Sequence, residues 1–274
     1  MTQRKNSAAT YCDGVVTVAI AQFAPDTDKQ ANLEAVRAFV LEAADHGARL
    51  VISPEYSMFT AGRLDERYLA AAEPLDGPFV SGLLSIAAET GVVVVAGVAE
   101  TTDDDRHIFN TVVAAGPDGI LAAYRKIHLY DAFGFRESDT VSPGPITDPP
   151  LFEVDDTVFG VQTCYDLRFP EVTRRLAIAG ATAIVVPAQW VPGPLKEDHW
   201  TTLVRARAIE NTVYVCAAGQ AAPLGAGNSM IVDPMGITMT ALGERIGVST
   251  AVLDPARVLE VRKKNPSLGH RRMP

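Results

Sequence analysis

Cys164 is the residue of this 274-residue chain that most invites a chemical reading. It closes the apolar run TVFGVQTC at 157–164 and opens the polar stretch CYDLRFPE, where Asp166, Arg168 and Glu171 crowd around it. A thiol at the end of a buried strand, just ahead of a helix, stands at the open edge of a sheet beside free backbone N–H groups, a good seat for a nucleophile. The same position suits a small buried hydrophobe, because free cysteine is among the most buried residue types. Read locally, the sequence keeps both accounts open. Cys12 falls in an N-terminal segment expected to fray, and Cys216 lies inside the apolar run TVYVCAAG, where core packing is the simplest account.

A thiol that hydrolyses an amide needs a base for its proton and a positive charge near the developing oxyanion. Two strand ends offer them. Glu55 follows an apolar run in LVISPEYSMF, with Pro54 breaking the strand at the sheet edge, and Lys126 ends a run in YRKIHLY, directly before a long loop. Each taken alone also reads as an ordinary solvated side chain, and spacing does not show that the three meet. Histidine is the usual base for a catalytic cysteine, and the chain has His46, His107, His128, His199 and His270; His128 is the strongest rival to Glu55.

The elements that must carry these residues alternate. Apolar β-branched runs at 15–23, 48–53, 91–99, 157–164 and 181–188 are separated by helical patterns, including Leu33, Val36, Val40 and Leu41, a stretch near 78–90, and one from Pro170 to a stop at Gly180. IFNTVVAAG and GILAAYRKI, joined by Pro117-Asp118-Gly119, read as a hairpin. A helix near 194–210, strands TVYVCAAG, NSMIVDP, GITMTA and 247–253, and a final helix near 255–264 complete the pattern. The expectation is a flexible tail at 1–14 and one α/β domain at 15–274, with mixed sheets covered by helices. The irregular stretch 128–150 is long and aromatic enough to be functional.

Composition narrows the partners. Lys and Arg number 24 against 33 Asp and Glu, and a net charge of −9 argues against phosphate backbones and anionic lipid surfaces. The apolar runs fall short of the roughly 20 residues needed to span a bilayer, and the N-terminus lacks the apolar stretch of a secretory signal. Three scattered cysteines make neither a disulfide framework nor a zinc cluster, which fits a reducing cytoplasm.

Three segments, VISPEYSMF, YRKIHLYDAFGFRES and GVQTCYDLRFPE, taken in that order, resemble the catalytic signatures of the nitrilase-like carbon-nitrogen hydrolases. The resemblance runs from VAIAQF near residue 18 to NPSLGHRR. It implies a four-layer α-β-β-α sandwich, a homodimer or higher homo-oligomer, and a small-molecule amide substrate, with no metal and no organic cofactor. It further implies Glu55 as general base, Lys126 as oxyanion stabiliser, Cys164 as nucleophile and Glu137 as a second, supporting glutamate. The backbone N–H of Tyr165 would share the oxyanion. KIHLYDAFGFRESDTVSPG and PAQWVPGPLKEDHWTTLVRARA look most like the branch that hydrolyses deaminated glutathione, with Trp190, Tyr130, Phe135, Arg168 and Lys196 as candidate pocket walls. Arg168 also suits a surface pair with Asp166 or Glu171. An ω-amidase or general aliphatic amidase releasing ammonia, a nitrilase, and a ligand-binding scaffold are the competing readings.

Overall fold

A computed structural model describes residues 14–273; the expected tail, apart from Gly14, and Cys12 lie outside the described residues. Strands buried on both faces carry near-continuous apolar sequence, and β1 (Val16–Gln22) is such a strand. Val16, Val18 and Ile20 face one core while Ala19 and Ala21 face another. β2 (Leu50–Ile52), β3 (Val93–Thr101), β4 (Ile108–Gly116) and β5 (Gly119–Arg125) extend this first sheet. β1, β2 and β3 run parallel, as the crossovers require, and β3, β4 and β5 are antiparallel neighbours.

The second sheet repeats the scheme with β6 (Leu151–Val154), β7 (Thr157–Val161), β8 (Ala183–Ala188), β9 (Tyr214–Gly219), β10 (Met230–Val232) and β11 (Thr238–Ala241). Its central trio β7, β8 and β9 is parallel. β12 (Gly247–Leu253) then returns to the first sheet, antiparallel to β1. The orders are β12-β1-β2-β3-β4-β5 and β11-β10-β9-β8-β7-β6.

Helices close the outer faces. α1 (Lys29–Asp45) starts where the Asp28 carboxylate accepts from the N–H groups of Gln30 and Ala31. α2 (Glu66–Ala71) is short, and α3 (Pro78–Thr90) begins on proline and ends at Gly91 in the left-handed region, φ 68°. α4 (Pro170–Ile178) and α5 (Lys196–Asn211) cover the second sheet, and α6 (Pro255–Lys264) follows β12. One core joins the first sheet to α1 and α3, a second fills the space between the sheets, and a third joins the second sheet to α4 and α5. The result is an α-β-β-α sandwich, the architecture the resemblance implies. Cys216 is fully buried between the sheets.

Three elements differ from expectation. α2 and β6 were not expected from sequence. The strand expected to reach Cys164 stops at Val161, because Thr163 and Asp166 cap each other and start a 3-10 turn, Cys164–Arg168, in its place.

Candidate active site

The site forms where both sheets present strand ends. Glu55 and Lys126 leave the first sheet, just beyond β2 and β5; Cys164 and Gln189 leave the second, beyond β7 and β8. Getting Glu55 into place requires close backbone approach: a Cβ on Gly97 of β3 would lie 2.5 Å from Tyr56 N and 2.7 Å from Glu55 Cα. Tyr56 and Cys164, both non-glycine, hold φ of 52° and 45°, strained values of the kind that concentrate at functional sites.

Lys126, 2% exposed, sits between two buried carboxylates. Its Nζ donates to Glu55 Oε1 at 3.0 Å and to Glu137 Oε1 and Oε2 at 3.1 and 2.9 Å. Burial works against the ammonium charge, but Glu137 and then Glu55 outweigh it and hold the group well above the ordinary lysine range. Asn110 Nδ2, from β4, donates to both glutamates at 2.7 and 3.0 Å. Tyr56 Oη and the Tyr130 N–H add donors to Glu137, and the Gln189 N–H donates to Glu55 Oε2 at 2.6 Å.

Cys164 faces this group across a cavity of about 430 Å³ that Glu55, Lys126, Glu137 and Gln189 also line. Burial pushes its thiol well above the ordinary range; Glu55 pushes the same way and Lys126 pulls it down. Burial thus favours the protonated thiol, and Glu55 lines the same cavity. The Tyr165 N–H lies in the first turn of the 3-10 helix, where backbone donors have no intrahelical acceptor. Arg207 of α5 anchors that turn from behind, donating to Leu167 O at 3.0 and 2.7 Å.

The structure therefore brings Glu55, Lys126, Glu137, Cys164 and Tyr165 together. Tyr130 and Phe135 line the large cavity, while Trp190, Arg168 and Lys196 line a niche of about 20 Å³ against Cys164. His128 is corrected as a rival base. Its Nδ1 is 2.8 Å from Asp166 Oδ1, its ring stacks on Phe169 at 3.7 Å, and it lines neither space. The surface pairing considered for Arg168 is also absent among the described residues. Asp166 is fully buried and accepts instead from Tyr124 Oη, the Thr163 N–H and the His128 N–H. Asn110 and Gln189 were missed from sequence: one is a polar residue inside an apolar strand, the only signal available, and the other contributes its backbone. Among the described residues, no group of three or more His, Cys, Asp or Glu side chains could hold a metal ion, and no helix is long and apolar enough to cross a membrane.

Known proteins resemble this chain along most of its length. Residues 17–263 match the family model described as carbon-nitrogen hydrolase. A hydrolase of Mycobacterium tuberculosis is 41% identical over 264 residues, covering 90% of this chain and 92% of the relative. The deaminated glutathione amidase of Escherichia coli O157:H7 is 36% identical over 255 residues, covering 93% and 97%. Nit3 of Saccharomyces cerevisiae, a member of branch 10 of the nitrilase superfamily, superposes with a TM-score of 0.83 at 30% identity, covering 95% of this chain and 97% of that one.

Proposed function

Since the chain belongs to the carbon-nitrogen hydrolase family, we propose that it is an amidase in which Cys164, Glu55 and Lys126 carry the reaction. The observation that carries this reading is the buried Lys126 ammonium held between Glu55 and Glu137 on the same cavity as the Cys164 thiol. Glu55 takes the thiol proton as Sγ bonds to the amide carbon, while Lys126 and the Tyr165 N–H stabilise the oxyanion. The carbon-nitrogen bond breaks as the amine nitrogen takes that proton from Glu55, leaving a thioester. Glu55 then accepts a proton from water, whose oxygen attacks the thioester carbon; the carbon-sulfur bond breaks and the proton returns to Sγ. Glu137 holds Lys126 and, through Asn110, Glu55.

A relative bears the name deaminated glutathione amidase, and we take that compound as the substrate, cleaved to 2-oxoglutarate and cysteinylglycine. Trp190, Tyr130, Phe135, Arg168 and Lys196 would form its pocket walls. A homodimer is supported by exposed Ile209, Met235 and Ile237, and the reducing cytoplasm suits a reactive free thiol.

The test is mass spectrometry of wild type and Cys164→Ala incubated with deaminated glutathione and with small primary amides. Expected are both products from wild type, none from the variant, and an acyl adduct on the Cys164 peptide. Ammonia from primary amides without cysteinylglycine release would replace the substrate by that of an ω-amidase, and turnover by Cys164→Ala would overturn the mechanism.

A further inference from the structure

Lys196 is a buried cation that forms no ion pair with a carboxylate among the described residues. It is 6% exposed, yet it and Lys126 are treated in opposite ways. Lys126 has two carboxylates, whereas none of the ion pairs among the described residues includes Lys196. Its ammonium donates to Tyr130 Oη at 2.7 Å and otherwise lies near the rings of Tyr130 and Phe133, 4.9 and 5.2 Å from their centroids. A lysine has three donors, and ring faces replace lost hydration only in part. Lys196 is also the first residue of α5, at the positive end of the helix dipole, where a cation is disfavoured. Burial lowers its pKa; Cys164 opposes this, Arg168 adds to it, and Glu197 opposes it to a smaller extent.

Arg168 repeats the pattern. It pairs with no carboxylate among the described residues, its buried Nε has no hydrogen-bond partner, and its guanidinium lies over Trp190, 4.7 Å from the ring centroid. Both cations line the niche that touches Cys164. Leaving a buried cation unpaired is costly, and Lys196, with half-buried Arg168 beside it on the niche that touches Cys164, implies an anion that arrives with the substrate.

We propose that Lys196, with Arg168 beside it, binds a carboxylate at the acyl end of the substrate. This rests on the amidase reading above and adds the charge of the acyl group to it. The acyl end is assigned by size and by charge. A niche of about 20 Å³ admits one small group, on the scale of a water or two, whereas the amine half of a dipeptide-sized substrate needs the cavity of about 430 Å³. The catalytic group of Glu55, Lys126 and Glu137 also holds one more carboxylate than ammonium, so it repels a second anion toward the two cations. Lys196 is thus a specificity-determining residue: it selects acyl groups ending in a carboxylate over neutral ones of equal shape.

The experiment compares deaminated glutathione with its analogue whose acyl-end carboxylate is a carboxamide, following cysteinylglycine release. The ratio of kcat/KM for the two is expected to fall on the order of 10- to 100-fold in Lys196→Gln, mainly through KM for the acid, because a charge-assisted contact is lost. Lys196→Arg should restore most of the ratio. Arg168→Gln should lower it as well, which keeps the test available if Lys196→Gln does not fold. A ratio within twofold of wild type in both neutral variants overturns the inference and leaves the amidase reading standing. A wild type that cleaves neither compound overturns that reading on this substrate, and the inference with it.

Discussion

Glu137→Gln removes one negative charge and almost no volume, so its effect measures how far the Lys126 group depends on that charge. The two oxygens of Glu137 accept from Tyr56 Oη, Asn110 Nδ2, Lys126 Nζ and the Tyr130 N–H. A glutamine cannot serve this set. With its NH2 in place of Oε2 it meets the Tyr130 N–H and a Lys126 proton; with its NH2 in place of Oε1 it meets Asn110, Lys126 and Tyr56. Either way at least two buried donors lose an acceptor, at about 1–3 kcal/mol each. A loss of about 4 kcal/mol is expected, and for a chain of this size that lowers Tm by about 10 °C. The kinetic effect has a defined sign. Glu137 is the largest influence holding the Lys126 pKa up against burial, so removing it brings that pKa down. The ammonium is then lost as pH rises through a lower value, and the alkaline limb of kcat moves to lower pH. Turnover at neutral pH should fall about 100-fold as the Lys126 and Glu55 positions loosen. Thermal unfolding by circular dichroism and kcat across pH check both halves. A Tm within about 2 °C of wild type, with kcat within about twofold and an unmoved alkaline limb, would refute the claim that Glu137 supports Lys126 by charge.

Two further outcomes follow from the geometry. Gly97→Ala places a methyl group 2.5 Å from Tyr56 N, which must displace the Glu55 backbone, and kcat should fall about 10- to 100-fold; unchanged kinetics would show that Glu55 tolerates the shift. Because burial and Glu55 raise the Cys164 thiol, the thiolate fraction keeps growing as pH passes the ordinary thiol value of 9.0. Its carbamidomethylation by iodoacetamide in substrate-free enzyme, read by peptide mass spectrometry, should therefore climb beyond that pH, and a plateau near neutrality would contradict the neutral resting thiol.

How much of this was legible in the sequence depended on how each residue does its work. The long apolar runs of β1, β3, β4, β8 and β9 are buried on both faces, and that leaves an unmistakable composition. Glu55, Lys126 and Cys164 stand out as polar breaks at the ends of such runs, but their roles were read from the resemblance of three segments to the family. α2, with six residues, and β6, with four, are too short to develop a period. Asn110 stands inside β4 as one polar residue in IFNTVVAAG, and its role depends on two glutamates far away in sequence. Gln189 acts through its N–H, which every non-proline residue has. His128 was weighed as a base because histidine is the usual partner of a catalytic cysteine; Asp166, 38 residues away, claims it instead. Lys196 was named as a wall residue, but its burial beside Arg168 without an ion-pair partner is a property of the assembled niche that no local pattern encodes.

The residues proposed as nucleophile and base come from different sheets, with Glu55 beyond β2 and Cys164 beyond β7. Neither half of the sandwich is chemically competent by itself. A chain with one sheet formed would carry either Glu55 without the thiol or Cys164 without Glu55. Under the proposed mechanism, activity requires both sheets to be in place. The same arrangement turns turnover into a gauge of the spacing between the sheets. Repacking Val18, Val95, Phe159 or Val185 in the shared core should be felt as lost catalysis before it is felt as lost structure.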